Sequence, residues 1–246
     1  MFRTWKTIKN QATTMTMFNV PNKVLVIVAH QDDETIGCGG TIRKWSDSGS
    51  KIHVVFVTNG STGISQDSKA LSKKNIESIR MKEAKTAASV LGIETVSTLG
   101  VECQCVSNSQ DLFHSVISEI RKVKPNIVIT HHSGDKHRDH KNVSAIVKEA
   151  CWKANENIHK ELGPPHKIDD LWAAEVVDIL PEVDFVVDIT ETYEHKLAAM
   201  DIYLSQHGVV EGVFDNISGL SKIRGYSIGK KRGEAFARIS NIPISC

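Results

Sequence analysis

The chain has 246 residues, 40% apolar and 24% charged, a balance that suits one soluble globular domain able to bury a full core. Thirty Lys and Arg against 29 Asp and Glu leave a formal charge of +1, which excludes the broad basic surface of a nucleic-acid binder. No stretch approaches the ~20 apolar residues of a membrane span, and five cysteines without a CxxC pair argue against a disulfide framework and for a reducing, cytoplasmic setting.

Residues 1–20 are polar, broken by threonines and without the apolar run of a signal peptide, so they read as an arm ahead of a single domain over 21–246. Val24–Val28 (VLVIV) is a continuous apolar run and reads as a buried strand. A helix over Thr35–Trp45 follows, then a strand over Ile52–Thr58 and a turn-rich loop from Asn59. Asn75–Leu91 has one apolar face and stops at Gly92, as a helix should. Thr95–Leu99 is a short strand, Asp111–Val123 a helix, Asn126–Thr130 a buried strand and Lys141–Asn155 a helix. Gly163-Pro164-Pro165 is the best break between the main body and a smaller C-terminal portion. Beyond it, strands are expected over Leu171–Val177 and Phe185–Ile189, a helix over Thr192–Gln206 and a short terminal helix over Lys231–Ile239. Strands alternating with helices predict an α/β fold, a Rossmann-like mainly parallel sheet flanked by helices.

Two clusters carry chemistry. His30-Gln31-Asp32-Asp33-Glu34 directly follows the first strand, and the segment from His131 to His140 directly follows Asn126–Thr130. The second holds four of the chain's 11 histidines. Ligands of open parallel sheets bind beyond the carboxyl ends of the strands, so both clusters can reach one crevice. His30 and Asp33 are close enough across a turn to share a metal, and His140 can complete two histidines and one aspartate. Three protein ligands with one open position are the arrangement of a catalytic zinc site. Asp32 can accept a proton from water, His137 can face an oxyanion, and Asp139 can orient a histidine. The plainer alternative is that Asp32-Asp33 caps the following helix and each histidine is a polar loop residue.

Ala29-His30-Gln31-Asp32-Asp33-Glu34 resembles the AHPDDE motif of the PIG-L/LmbE-like family of zinc-dependent N-acetylglucosaminyl deacetylases, and Asp135-Lys136-His137-Arg138-Asp139-His140 resembles its second motif, DxHPDH. Arg80-Met81-Lys82-Glu83-Ala84 resembles an RxxEA helix start, and Gly233-Glu234-Ala235-Phe236 a C-terminal AEAF element. The resemblance implies Zn2+, or another divalent metal, on His30, Asp33 and His140. It implies Asp32 as general base, His137 as stabiliser of the tetrahedral intermediate with Asp139 supporting it, and Arg80 as a substrate-binding residue. It further implies hydrolysis of the acetyl amide of an N-acetylated amino sugar conjugate, with oligomeric state left open.

The departures are Gln31 and Arg138 in place of proline, a loss of backbone restraint in both loops. Two other readings stay open. Gly37-Cys38-Gly39-Gly40 after a strand suggests a nucleotide- or sugar-binding module without catalysis, although it matches neither GxGxxG nor the Walker pattern. The histidines with Asp135 suggest a metallophosphoesterase, which would want more bridging carboxylates. His131, His132 and the tryptophans Trp45, Trp152 and Trp172 read as walls and packing. Arg224 reads as a surface-loop residue or an anion partner.

Overall fold

The computed structural model describes residues 20–62, 71–209 and 211–239. The polar arm, apart from Val20, lies outside the described residues, as does Cys246. Seven strands form one sheet in the order β3-β2-β1-β4-β5-β7-β6. They are β1 Lys23–Val28, β2 Lys51–Thr58, β3 Thr95–Val101, β4 Ile127–His131, β5 Asp170–Ala174, β6 Phe185–Asp188 and β7 Gly233–Arg238. Strands β1 to β5 run parallel, and β7 is antiparallel to both β5 and β6.

The apolar run of β1 is buried on both faces because its alternate side chains enter different cores. Val24, Val26 and Val28 join one core under α1 (Asp33–Asp47), α2 (Lys73–Leu91), α5 (Tyr193–Asp201) and α6 (Val213–Ser227). Leu25, Ile27 and Ala29 join the other, under α3 (Gln110–Val123) and α4 (Arg138–Ala154). The Gly163-Pro164-Pro165 break divides no sheet, since β5 beyond it pairs directly with β4. Buried Arg121 organises this connection by donating to the backbone carbonyls of Ala154, His159 and Gly163, among others. Among the described residues no helix is long and apolar enough to cross a membrane.

Three expectations are corrected. Lys231–Ile239 is not a helix, because Gly233–Arg238 fills the slot between β5 and β6 as strand β7, where ladder pairing outweighs local preference. The helix expected over Thr192–Gln206 ends at Asp201, and a separate 3-10 turn covers Leu204–Gln206. The segment around Arg224 is helix α6 rather than loop.

The glycine run after β1 is not a phosphate loop. Gly37, Cys38, Gly39 and Gly40 are buried inside α1, which is kinked at Cys38 (φ −148°, ψ 20°). A Cβ on Gly40 would lie 2.8 Å from Ile189, so glycine is needed for close packing. The kink frees backbone amides, and Glu234 of β7 receives them. Its Oε1 accepts from Gly40 N–H at 2.9 Å and its Oε2 from Thr41 N–H at 2.7 Å. Lys196 of α5 completes the arrangement, with Nζ 2.6 Å from Glu234 Oε1 and 2.7 Å from the Ile36 carbonyl. Both side chains are at most 4% exposed.

Glu234→Ala leaves the Lys196 ammonium buried without its carboxylate, and an expected loss of about 3–5 kcal/mol of unfolding free energy follows. Urea denaturation measures it. Lys196→Met combined with Glu234→Leu removes both charges and should regain part of that loss. A single variant as stable as the parent would refute a structural role for the pair.

Candidate metal centre and active site

The chain builds β1 to β3 outward on one side of β1 and then places β4 on the other side. That reversal opens a crevice at the carboxyl ends of β1 and β4, where parallel sheets bind ligands. His30 to Glu34 leave β1 there, and His131 to His140 leave β4. The cavity between them has a volume of about 470 Å³.

His30, His137 and His140 form one group of ligand atoms lying within 4.8 Å of one another, and Asp33, His131 and His140 form a second. The tightest set cuts across both. His30 Nδ1 lies 3.2 Å from His140 Nε2 and 3.3 Å from Asp33 Oδ2, and His140 Nε2 lies 3.4 Å from the same oxygen. An ion held by nitrogen and oxygen at about 2.0–2.1 Å has tetrahedral edges of about 3.3–3.4 Å between its ligands. The triangle therefore fits three donors to one divalent ion and leaves the face toward the cavity open.

The remaining nitrogens of both histidines face carboxylates. His30 Nε2 is 3.1 Å from Asp139 Oδ2, and His140 Nδ1 is 3.1 Å from Asp135 Oδ2. Such pairs fix the ring orientation and raise the donor strength of the other nitrogen. Asp139 thus supports His30 through its carboxylate, whereas its contact with His137 is a backbone one: its N–H donates to His137 Nδ1 at 3.1 Å. Asp135, to which the sequence reading gave a role only in the metallophosphoesterase alternative, also accepts from His137 N–H at 2.8 Å and Val177 N–H at 3.2 Å. Its position as the first residue of the second motif was the available signal. His131 stacks on His140, and its Nε2 lies 3.4 Å from Asp33 Oδ2 while accepting from Ala29 N–H at 2.8 Å, which ties β4 to β1. His132 Nε2 lies 3.0 Å from the Asp178 carbonyl.

Asp32 has the left-handed φ of 126°, a conformation costly for a side chain bearing a Cβ. Glu34 holds it there, its Oε2 accepting Asp32 N–H at 3.1 Å while Oε1 accepts from Tyr203 Oη at 2.7 Å. The neighbours Asp32 and Asp33 differ in electrostatic environment. Burial raises the Asp32 carboxyl to about 7, opposed by the Arg80 guanidinium and reinforced by Asp33. Asp33 is equally buried, but His140, His131 and His30 hold it well below the usual carboxylate range. His137 is kept below the usual imidazole range by burial and by the facing His140 and His30. Because His137 Nδ1 accepts a backbone N–H, its neutral form carries the proton on Nε2 and is a donor.

Arg80 is buried on α2, donating to the Gln31 carbonyl, and lies 3.7 Å from Asp32 Oδ1. Gln31 does not loosen its loop, for its Nε2 donates to the Thr58 carbonyl at 3.1 Å. Arg138 is the first residue of α4, a position where proline and other residues serve equally because that N–H has no helical partner. Arg224 is neutralised by Glu175. Trp45 and Trp172 pack together with ring centroids 5.2 Å apart, and Trp152 stands exposed under Lys153.

The family pattern described as PIG-L, GlcNAc-PI de-N-acetylase, matches residues 25–151. A diacetylchitobiose deacetylase of Thermococcus kodakarensis is 29% identical over 77% of this chain and 72% of its own length. A probable N-acetyl-alpha-D-glucosaminyl L-malate deacetylase 2 of Bacillus cereus is 32% identical over 74% of this chain and 83% of its own. Among solved structures, an N,N'-diacetylchitobiose deacetylase from Pyrococcus horikoshii superposes with a TM-score of 0.81 at 26% identity, covering 89% of this chain and 84% of that one.

Burial lowers the basicity of His30, but Asp33 and Asp139 outweigh it and raise the ring to about 10. Asp33 and Asp135 likewise raise His140 to about 9 against burial. Protons and a divalent ion would therefore compete for these two rings. Two consequences follow. Zinc affinity, measured by competition with a chromophoric chelator, should rise with pH between about pH 6 and 8, with protons released on binding. The raised pKa of each ring contributes stability that is fully present below the unfolded pKa of about 6.5 and is lost as pH rises through about 9 for His140 and about 10 for His30. A flat affinity profile would contradict the arrangement of ligands.

Proposed function

The chain belongs to the PIG-L (GlcNAc-PI de-N-acetylase) family, and on that premise we propose that it is a metal-dependent hydrolase removing the acetyl group from an N-acetylglucosamine-type amino sugar conjugate. The observation that carries this reading is the triangle of His30 Nδ1, Asp33 Oδ2 and His140 Nε2, sized for one zinc-like ion and open toward the cavity. The relatives supply the substrate class, since both are named as deacetylases of N-acetylated amino sugars.

When bound, a divalent ion supplies Lewis acidity toward the amide oxygen and toward water. The chain's residues do the rest. Asp32, raised to about 7, is poised to accept the proton of the attacking water near neutral pH. His137 donates its Nε2–H to the oxygen that gains negative charge at the tetrahedral stage. Protonated Asp32 is then placed to return the proton to the leaving amine, which departs as the free amino sugar with acetate as the other product. Asp135 and Asp139 keep the histidine ligands oriented. Arg80 lines the cavity and holds Asp32 and the Gln31 carbonyl in place, with its guanidinium near the substrate. Free Cys38, Cys103, Cys105 and Cys151 support a reducing compartment.

Zinc-loaded protein incubated with a panel of N-acetylglucosaminyl conjugates should release acetate, and no release from any of them would sink the reading. Asp32→Asn should retain metal while turnover falls by ~10²–10⁴-fold, as for loss of a general acid–base group. His137→Ala should likewise keep its metal and lose rate. Asp33→Ala should lose metal first. Metal content and kcat measured on the three variants decide the roles, and metal loss in Asp32→Asn with retention in Asp33→Ala would reverse them.

A further inference from the structure

We propose that the part of the cavity beyond the reacting groups is built for an uncharged saccharide rather than for an aglycone bearing a carboxylate or phosphate; this rests on the deacetylase reading above. Anionic aglycones are recognised by guanidinium forks or by open helix N-termini. Among the described residues lining the cavity, Arg80 is the one lysine or arginine. Its guanidinium is 3% exposed and already engaged with the Gln31 carbonyl and Asp32.

Three helices begin at this cavity, and each brings its own acids. The start of α1 carries Asp32, Asp33 and Glu34. That of α4 carries Asp139, with Asp135 accepting the N–H of its cap residue His137. The start of α6 carries Asp215, with Glu211 just before it on the cavity wall. These acids offset the positive ends of the three helices in charge, while a side-chain cap hydrogen bond is made at α4 and not at α1 or α6. Asp32, Asp33 and Glu211 line the cavity beside Arg80, so its wall brings no surplus of positive side-chain charge.

The rest of the wall suits a pyranose. Val176, Val177 and Val213 offer apolar surface to a ring face, and Gln104 and Asn216 offer neutral amides to hydroxyls. Gln104 is pinned in place: it sits at φ 66°, and its N–H donates to Asp139 Oδ2 at 2.7 Å. Glu211 adds one negative charge at the exposed rim, unfavourable to an anion and harmless to a neutral sugar.

The test compares kcat/KM of the metal-loaded full chain for two N-acetylglucosaminyl substrates, neutral N,N'-diacetylchitobiose and the carboxylate-bearing L-malate glycoside. The neutral substrate should be favoured by roughly tenfold or more, and Glu211→Lys should narrow that ratio by roughly fivefold at low salt. The narrowing should shrink in roughly 0.3 M salt, where exposed charges are screened, and Glu211→Gln should lie between. Equal or better use of the malate glycoside overturns the inference and leaves the deacetylase reading standing. An unchanged ratio in Glu211→Lys also overturns it. Acetate from neither substrate, with none from the wider panel, overturns both.

Discussion

Parallel pairing of β1 with β4 is the constraint on which the site depends. The register sets Val24 opposite Ile127 and Val26 opposite Ile129, so the two strands end side by side. Their apolar side chains are buried on both faces, which makes slippage costly because it would turn core residues out of their cores. His131 secures the junction by accepting the Ala29 N–H one residue before His30. From that fixed edge the two loops can go only into the crevice, and residues 107 or more apart in sequence meet at 3.2–3.4 Å.

The site then concentrates unfavourable features that the surrounding structure holds in place. Asp32 takes a left-handed backbone conformation, and Glu34, Tyr203 and Thr35 form the buried hydrogen-bonded chain that keeps it there. Five carboxyl groups, from Asp32, Asp33, Glu34, Asp135 and Asp139, crowd around the imidazoles of His30, His131, His137 and His140. Their environments push them apart: those facing imidazole fall below the usual range, while Asp32 and Glu34, facing mainly burial, rise. Acid–base roles on one loop are separated in this way without any change of residue type.

The C-terminal elements belong to the same arrangement. Helix α1 starts in the loop that carries His30 and Asp32, is kinked at Cys38 and is gripped at the kink by Glu234 and Lys196. Strand β7 and helix α5 therefore help to hold the start of α1, and with it Asp32 and Asp33, against the sheet. The resemblance of Gly233–Phe236 to a terminal family element has a physical meaning here, since the carboxylate of that element caps a broken helix.

The sequence by itself determined the parallel α/β architecture and the two loops that carry the site. Both are written locally: a buried strand needs an apolar run such as VLVIV, and a loop at its carboxyl end shows its histidines and aspartates in order. It did not reveal β7, because Gly233–Arg238 becomes a strand only when β5 and β6 present free edges on either side. Nor did it show that Gly37 to Gly40 pack inside a kinked helix, or that Arg224 is held by Glu175. The partner of each buried polar group was likewise decided by tertiary structure. Asp139 faces His30 rather than His137, and Asp135 backs His140, because the start of α4 turns those carboxylates toward the end of β1. Motif spacing fixes which residues arrive at the crevice, but the direction each side chain faces follows from strand register and helix start, which no local pattern encodes.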